Sequence, residues 1–318
     1  MKGMYYNRVM DSSIETLVKD KYQWLIHAVI ENPELDFQTG SNASDSWFSV
    51  YRGTGKVASI SKGNGYKMSA HPEYMALYPA FYDSPTPQTF AELLRRISND
   101  RYFDSYYQSA DKKMEGFYQN LISRRYTIDC KLNDDFIIVD KEFVIGYKDQ
   151  DTKDRYLDKY RRIYDGYIRK IKEQYLDERW PRNIEQTGEE CDFLALSKTG
   201  DIILLELKHK GSQPNKIYLS PLQVGKYADM AQDLLNESSD TIYNVLKEMV
   251  EQKKRIGIMY PVWDFPPKFS GIIRTAVIVG GDSSDNVKRK YKKVRDIVGK
   301  NTPYYICDNN GTLIEIKL

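Results

Sequence analysis

The sequence predicts an α/β protein of two domains: a mixed sheet flanked by helices in the C-terminal part, preceded by a smaller α+β domain. Three observations carry this. The chain has 318 residues, more than one hydrophobic core usually organises. Beyond about residue 111, short apolar runs alternate with segments of helical periodicity, as in a sheet covered on both faces. Before that point, polar–apolar alternation broken by glycines dominates. A boundary near residue 108, in YYQSADKK, gives domains of 1–108 and 109–318.

Residues 13–32 have helical spacing, with Leu17, Tyr22, Trp24, Leu25 and Val29 on one side and Asn32-Pro33 as the stop. SWFSVYRGTGKVASISKGNGYKMSA alternates as antiparallel strands at 47–52, 56–61 and 66–69. Prolines then punctuate the chain until a short helix at 88–97. The second domain opens with a helix at 111–124 and a hairpin-like pair, 136–139 and 142–147. A long helix at 153–176 follows, with Tyr156, Tyr160, Ile163, Tyr167 and Ile171 as its apolar stripe. After the strand pair around residue 200, Ser220-Pro221 reads as an N-cap and first helical residue. Another helix at 241–255 precedes apolar IGIMY, read as a strand. TAVIVGG is a buried strand. Val287, Tyr291, Val294 and Val298 give the inward face of the next helix, and PYYICDNNGTLIEIKL closes as two strands about Asn309-Asn310-Gly311.

Composition narrows the function. Apolar residues make up 41% and charged residues 29%, which suits a globular protein and argues against wholesale disorder. With 47 Lys and Arg against 45 Asp and Glu the net charge is +2, so any surface for a polyanion must be local. Cys130, Cys191 and Cys307 offer neither a CxxC pair nor a disulfide framework. His27, His71 and His209 are too few and too scattered for a multi-histidine metal site. The N-terminus carries no signal-peptide core and no apolar run is long enough to span a bilayer, so a cytoplasmic location without membrane contact is expected. The 26 tyrosines read as fillers of half-buried positions.

The informative stretch is DFLALSKTGDIILLELKHKG, residues 192–211. It forms two strands about a turn at Ser197–Asp201. Side chains alternate along a strand, so Ile202, Leu204, Glu206 and Lys208 share one face. A hairpin register symmetric about the turn brings Asp192 to the Glu206–Lys208 end. Two carboxylates so close repel, and burial raises their pKa unless a cation neutralises them. A hard divalent ion with oxygen ligands does so, and Mg²⁺ takes one or two carboxylates with water and phosphate oxygens.

This arrangement, D-x13-E-x-K on successive strands, resembles the PD-(D/E)XK nuclease superfamily, which has the restriction-endonuclease-like fold. Gln223 and Tyr227, in Q-x-x-x-Y on the following helix, resemble its RecB-type branch, and four residues on a helix return to one face. The resemblance covers residues 189–235 by motif and 111–318 by element order. It implies a restriction-endonuclease-like mixed sheet and Mg²⁺- or Mn²⁺-dependent hydrolysis of DNA, in defence against foreign DNA or in repair. Asp192 and Glu206 would bind the metal. Lys208 would position the water, and Gln223 and Tyr227 the substrate backbone or Lys208. The family adds an acidic residue on a preceding helix, for which Glu115 is the first candidate and strand-borne Glu142 the second. Cys191 stands where the family has proline, and three scattered cysteines exclude a four-cysteine iron–sulfur cluster.

Blander readings accompany these. Glu315-Ile-Lys317 is a second E-x-K without an upstream aspartate, and reads as an exposed edge pair. Glu206 with Lys208 could be a surface ion pair of about 0–1 kcal/mol. Glu189 and Glu190 read as solvated loop charges. Two basic helices could meet phosphates: KYRRIYDGYIRKIK, with Arg161, Arg162 and Lys170, and NVKRKYKKVR, with Lys288, Arg289 and Lys292. Solvated faces explain them equally well. The alternative function is a catalytically silent module of the same fold that binds nucleic acid or a protein. The sequence leaves the role of the N-terminal domain open between recognition and dimerisation: Trp47, Tyr51 and Arg52 could meet a nucleotide or a second subunit, and alternating strands of a small β sheet explain them equally well.

Overall fold

The computed structural model describes residues 3–109, 112–181, 184, 190–259 and 264–318. The chain divides into two compact units: Asn7–Asp134 with Asn244–Asp264, and Met1–Tyr6 with Asp135–Tyr243 and Phe265–Leu318. The division falls after residue 134 rather than near 108. The helix expected to open the second domain packs instead on the N-terminal sheet.

The N-terminal unit begins with α1 (Ser12–Asp20) and α2 (Gln23–Glu31) in place of one continuous helix. Asp11 caps α1, its carboxylate accepting from the Ser13 N–H at 2.9 Å. Strands β2 (Asp36–Ser41), β3 (Ser46–Arg52), β4 (Gly55–Ser61) and β5 (Met68–Ser69) make an antiparallel sheet in that order. The sequence hides β2 because DFQTGS lacks clean alternation. Its Gly40 is required: a Cβ there would sit 2.8 Å from the Trp47 ring. Three proline-initiated helices follow, α3 (Pro72–Leu77), α4 (Pro79–Asp83) and α5 (Pro87–Asn99). A two-residue pair, β6 (Gln108–Ser109) with β7 (Lys112–Lys113), leads to α6 (Glu115–Arg125). The core gathers Ile14, Val18, Leu25 and Val29 from the helices, Phe48, Val50 and Ile60 from the sheet, and Ile256 and Ile258 from the returning segment. IGIMY is therefore a buried turn at 256–259, not a strand, and Tyr260 lies outside the described residues.

In the C-terminal unit β1 (Met4–Tyr5) pairs with β9 (Gly146–Tyr147). A six-stranded mixed sheet has the order β14-β13-β12-β11-β10-β8. Its members are β8 (Phe136–Val144), β10 (Glu190–Ser197), β11 (Ile202–His209), β12 (Ile273–Gly280), β13 (Tyr304–Cys307) and β14 (Leu313–Ile316). β8, β10 and β11 are antiparallel neighbours, while β11, β12 and β13 run parallel. The parallel steps contain helices: α8 (Pro214–Tyr218) and α9 (Ser220–Arg255) before β12, and α10 (Asp285–Val298) before β13. The hairpin expected at 136–147 is instead one strand up to Val144, with Glu142 in left-handed backbone (φ 57°). Ser220 does not cap α9; its hydroxyl donates to the Lys216 carbonyl at 2.7 Å. The helix runs on to Arg255 through a break at Ser238 (φ −150°, ψ 27°).

α7 (Gln150–Gln174) explains several tyrosines. Tyr156, Tyr160 and Tyr164 are one turn apart, as are Glu237, Asp233 and Asp229 on α9. Each hydroxyl donates to the acid opposite: Tyr156 to Glu237, Tyr160 to Asp233 at 2.5 Å and Tyr164 to Asp229 at 2.8 Å. The buried stripe of α7 is Thr152, Tyr160, Tyr164, Ile168 and Ile171. Ile163, assigned to the stripe from sequence, is 38% exposed. Among the described residues no helix is long and apolar enough to cross a membrane.

Candidate active site

The site is built on the β10–β11 hairpin. Its turn is held by the Ser197 N–H on the Asp201 carbonyl and by the Asp201 N–H on the Ser197 hydroxyl, at 3.0 and 2.9 Å. Gly200 at φ 85° sits so close to the Lys268 carbonyl that a Cβ would lie 2.3 Å away, so only glycine fits. The register runs Leu196↔Ile202 to Phe193↔Leu205. Continued by one residue it sets Asp192 opposite Glu206, and directly opposed residues point to the same face. The convergence expected of Asp192, Glu206 and Lys208 is thus a property of this hairpin.

Glu206 lies within a run of six buried positions, Ile202–Leu207, and is itself 1% exposed. Its carboxylate accepts from the Lys208 ammonium, whose side chain is 13% exposed. A surface pair of small net worth does not describe this contact. An ionised carboxylate so deep costs several kcal/mol unless a positive partner answers it. Asp192 is half-buried, and its carboxylate accepts from the Leu207 N–H at 2.6 Å. That bond ties the start of β10 to the backbone between Glu206 and Lys208.

α9 brings the next two residues. The Gln223 side-chain amide donates to the Tyr227 hydroxyl at 3.2 Å. Tyr227 is buried, and burial pushes its phenol up, with the Glu206 carboxylate as the next cause and Asp192 adding to it. The phenol therefore keeps its proton and stands within electrostatic reach of both acids. Cys191 behaves alike: burial raises its thiol far, and Glu206 and Asp192 raise it further. Buried and protonated, it is a packing residue rather than a nucleophile.

Of the two candidates for a further acid, Glu142 faces Asp192 across β8 and β10, since Phe143↔Cys191 and Lys141↔Phe193 bracket the pair. Its left-handed backbone leaves its side chain exposed. Glu115 opens α6 in the other unit. One acid was missed: Asp140, 3% exposed on β8, accepts from the Tyr6 hydroxyl at 2.6 Å. Its only sequence signal was its place directly after the apolar run Phe136–Val139, as the first of three consecutive charged residues in the strand. Among the described residues no group of three His, Cys, Asp or Glu side chains gathers to hold a metal. The donor set at the hairpin is two carboxylates, Asp192 and Glu206. Two hard oxygen donors on one face suit Mg²⁺ or Mn²⁺, which complete their shell with water and phosphate oxygens.

The basic helices divide differently from expectation. On α7, Arg162 and Lys170 are exposed, and Arg161 pairs with Asp158 at 2.5 Å. Tyr160 and Tyr164 are 1% exposed with hydroxyls committed to acids, so neither offers a ring to a base. On α10, Lys292 is exposed, but Lys288 pairs with Asp282 at 2.7 Å and Arg289 with Glu178. Glu178 also takes Lys293 at 2.9 Å and Lys290 at 3.6 Å. In the N-terminal unit Arg52 is buried against Glu34 at 2.8 Å, a structural role rather than a contact surface. Glu190 is the exposed first residue of β10, and Glu189 lies outside the described residues.

Glu178 yields a stability prediction. Hydrogen bonds from Arg289 and Lys293 hold its carboxyl down from the ordinary 4.5 to about 2. A depressed carboxyl stabilises the fold above its unfolded value and loses that contribution as pH falls through the folded one. The thermal-midpoint advantage of the native chain over Glu178→Gln should be constant near neutrality, shrink below pH 4.5 and vanish near pH 2. An advantage independent of pH would mean that the cluster holds the fold by packing instead.

No protein-family model, no curated protein and no solved structure matches the chain.

Proposed function

We propose that the protein is a metal-dependent nuclease of the PD-(D/E)XK type that hydrolyses phosphodiester bonds of DNA. The observation that carries this reading is Glu206 buried on β11 with Asp192 opposite it and Lys208 on its carboxylate. A cation, two acids and a phenol-bearing helix are a costly assembly to bury for structure alone. The sheet supports the same reading: its six strands are mixed in direction, with helices in the parallel connections, and a mixed sheet flanked by helices is what the resemblance implies.

Asp192 and Glu206 would hold Mg²⁺ or Mn²⁺. When bound, such an ion activates water and stabilises charge on a phosphoryl group. The chain's own residues do the rest. Lys208 supplies an ammonium to a phosphate oxygen or to the attacking water. Tyr227, kept protonated by burial and by Glu206, serves as a hydrogen-bond donor. Gln223 fixes the Tyr227 hydroxyl. Glu142 is the further acid that the register favours, and Arg162, Lys170 and Lys292 are exposed cations available to a DNA backbone.

Purified protein incubated with Mg²⁺ or Mn²⁺ and linear, circular and single-stranded DNA should yield cleaved product that disappears on chelation. Tight, metal-strengthened DNA binding without product would instead assign the protein to the silent-module alternative. Neither cleavage nor binding on any substrate would end the nuclease reading.

A further inference from the structure

The arrangement around Glu206 carries one step more, which rests on the metal site just proposed. Glu206 already has a cation: Lys208, two residues on along the same strand face, lays its ammonium on the carboxylate. The second acid is also engaged, by the Leu207 amide. The site as it stands thus holds two carboxylates and a single ammonium, and that ammonium lies on Glu206. A divalent ion held by Asp192 and Glu206 would come up against the Lys208 ammonium at the same Glu206 carboxylate, which is 1% exposed, where like charges are poorly screened.

We propose that Lys208 is a resident counter-cation that competes with the divalent ion for Glu206, and that its release on metal binding makes it available to a phosphodiester. The lysine has the reach for this. Residues two apart on a strand are separated by about 7 Å, so the ammonium reaches Glu206 only by folding back along the strand. At 13% exposure its side chain lies near the solvent end of the pair. Displaced, it carries one positive charge seeking an anion, and a DNA phosphate supplies one. Metal and substrate then bind cooperatively, each favouring the state that the other needs. Linkage requires the coupling to be reciprocal.

Mn²⁺ binding, followed by electron paramagnetic resonance or calorimetry at pH 8, separates this idea from the site itself. Lys208→Met and Lys208→Gln should bind Mn²⁺ about tenfold more tightly than the native chain, whereas Glu206→Gln should lose binding. An uncleavable phosphorothioate duplex should tighten Mn²⁺ binding to the native chain several-fold and have little effect in Lys208→Met. Far-ultraviolet circular dichroism checks each variant, and Lys208→Gln, which retains a hydrogen-bond donor, provides the result if Lys208→Met does not fold. Equal or weaker Mn²⁺ binding by both lysine variants, with binding still lost in Glu206→Gln, would overturn the competition and leave the metal site standing. Absence of Mn²⁺ binding in the native chain and in both lysine variants would remove both.

Discussion

Glu206→Gln is expected to lower DNA cleavage by at least about 10²–10³-fold, the scale seen when one charge-stabilising group leaves an active site. The substitution keeps volume and planarity in a buried position, so the loss would be chemical. It removes a negative charge from the proposed metal site and leaves Lys208 without its carboxylate. The fold should weaken by about 1–3 kcal/mol, the cost of stranding one polar partner, because Lys208 is near enough to solvent to rehydrate. Glu315→Gln is the matched control. Glu315 also heads an E-x-K triplet on a strand, yet it is exposed on β14. Single-turnover cleavage by the two variants should differ by the full factor. Equal rates would place hydrolysis elsewhere in the chain.

The contrast between those two triplets shows what the sequence could reveal. Around Glu206, the apolar run, the tight turn and the thirteen-residue gap to Asp192 jointly determine a register, and register determines which side chains meet. The helical spacing of Gln223 and Tyr227 did the same on α9. These are local patterns, and the structure honours them. What stayed hidden was set by contacts distant in sequence. Nothing in the sequence around Tyr160 and Tyr164 shows that Asp233 and Asp229, seventy-three and sixty-five positions later, take their hydroxyls. Lys288 and Arg289 resemble a phosphate-binding edge until Asp282 and Glu178 claim them. The left-handed backbone at Glu142 hid a single strand behind the look of two. The boundary near 108 failed for a similar reason: α6 looks like the start of a domain, and its tie to α2 cannot be seen from either helix alone.

That tie predicts the largest loss of stability in the N-terminal unit. Arg124, 6% exposed on α6, donates to the Val29, Ile30 and Leu35 carbonyls, the last two at 3.0 and 2.9 Å. Val29 and Ile30 lie in the final turn of α2, where carbonyls have no partner within the helix and the dipole favours a cation. One guanidinium therefore closes a helix end and anchors the chain entering β2. Asn120, one turn earlier on α6, adds its amide to the Pro33 carbonyl at 2.9 Å. Arg124→Met keeps the stem but strands three carbonyls away from water, at an expected cost of about 3–5 kcal/mol. Arg124→Lys keeps the charge but has no planar fork, so it should recover only part of that loss. Urea unfolding should report the effect as a lower midpoint with unchanged slope in Arg124→Met, with Arg124→Lys in between. A midpoint unmoved in Arg124→Met would show that apolar packing alone holds α6 to α2.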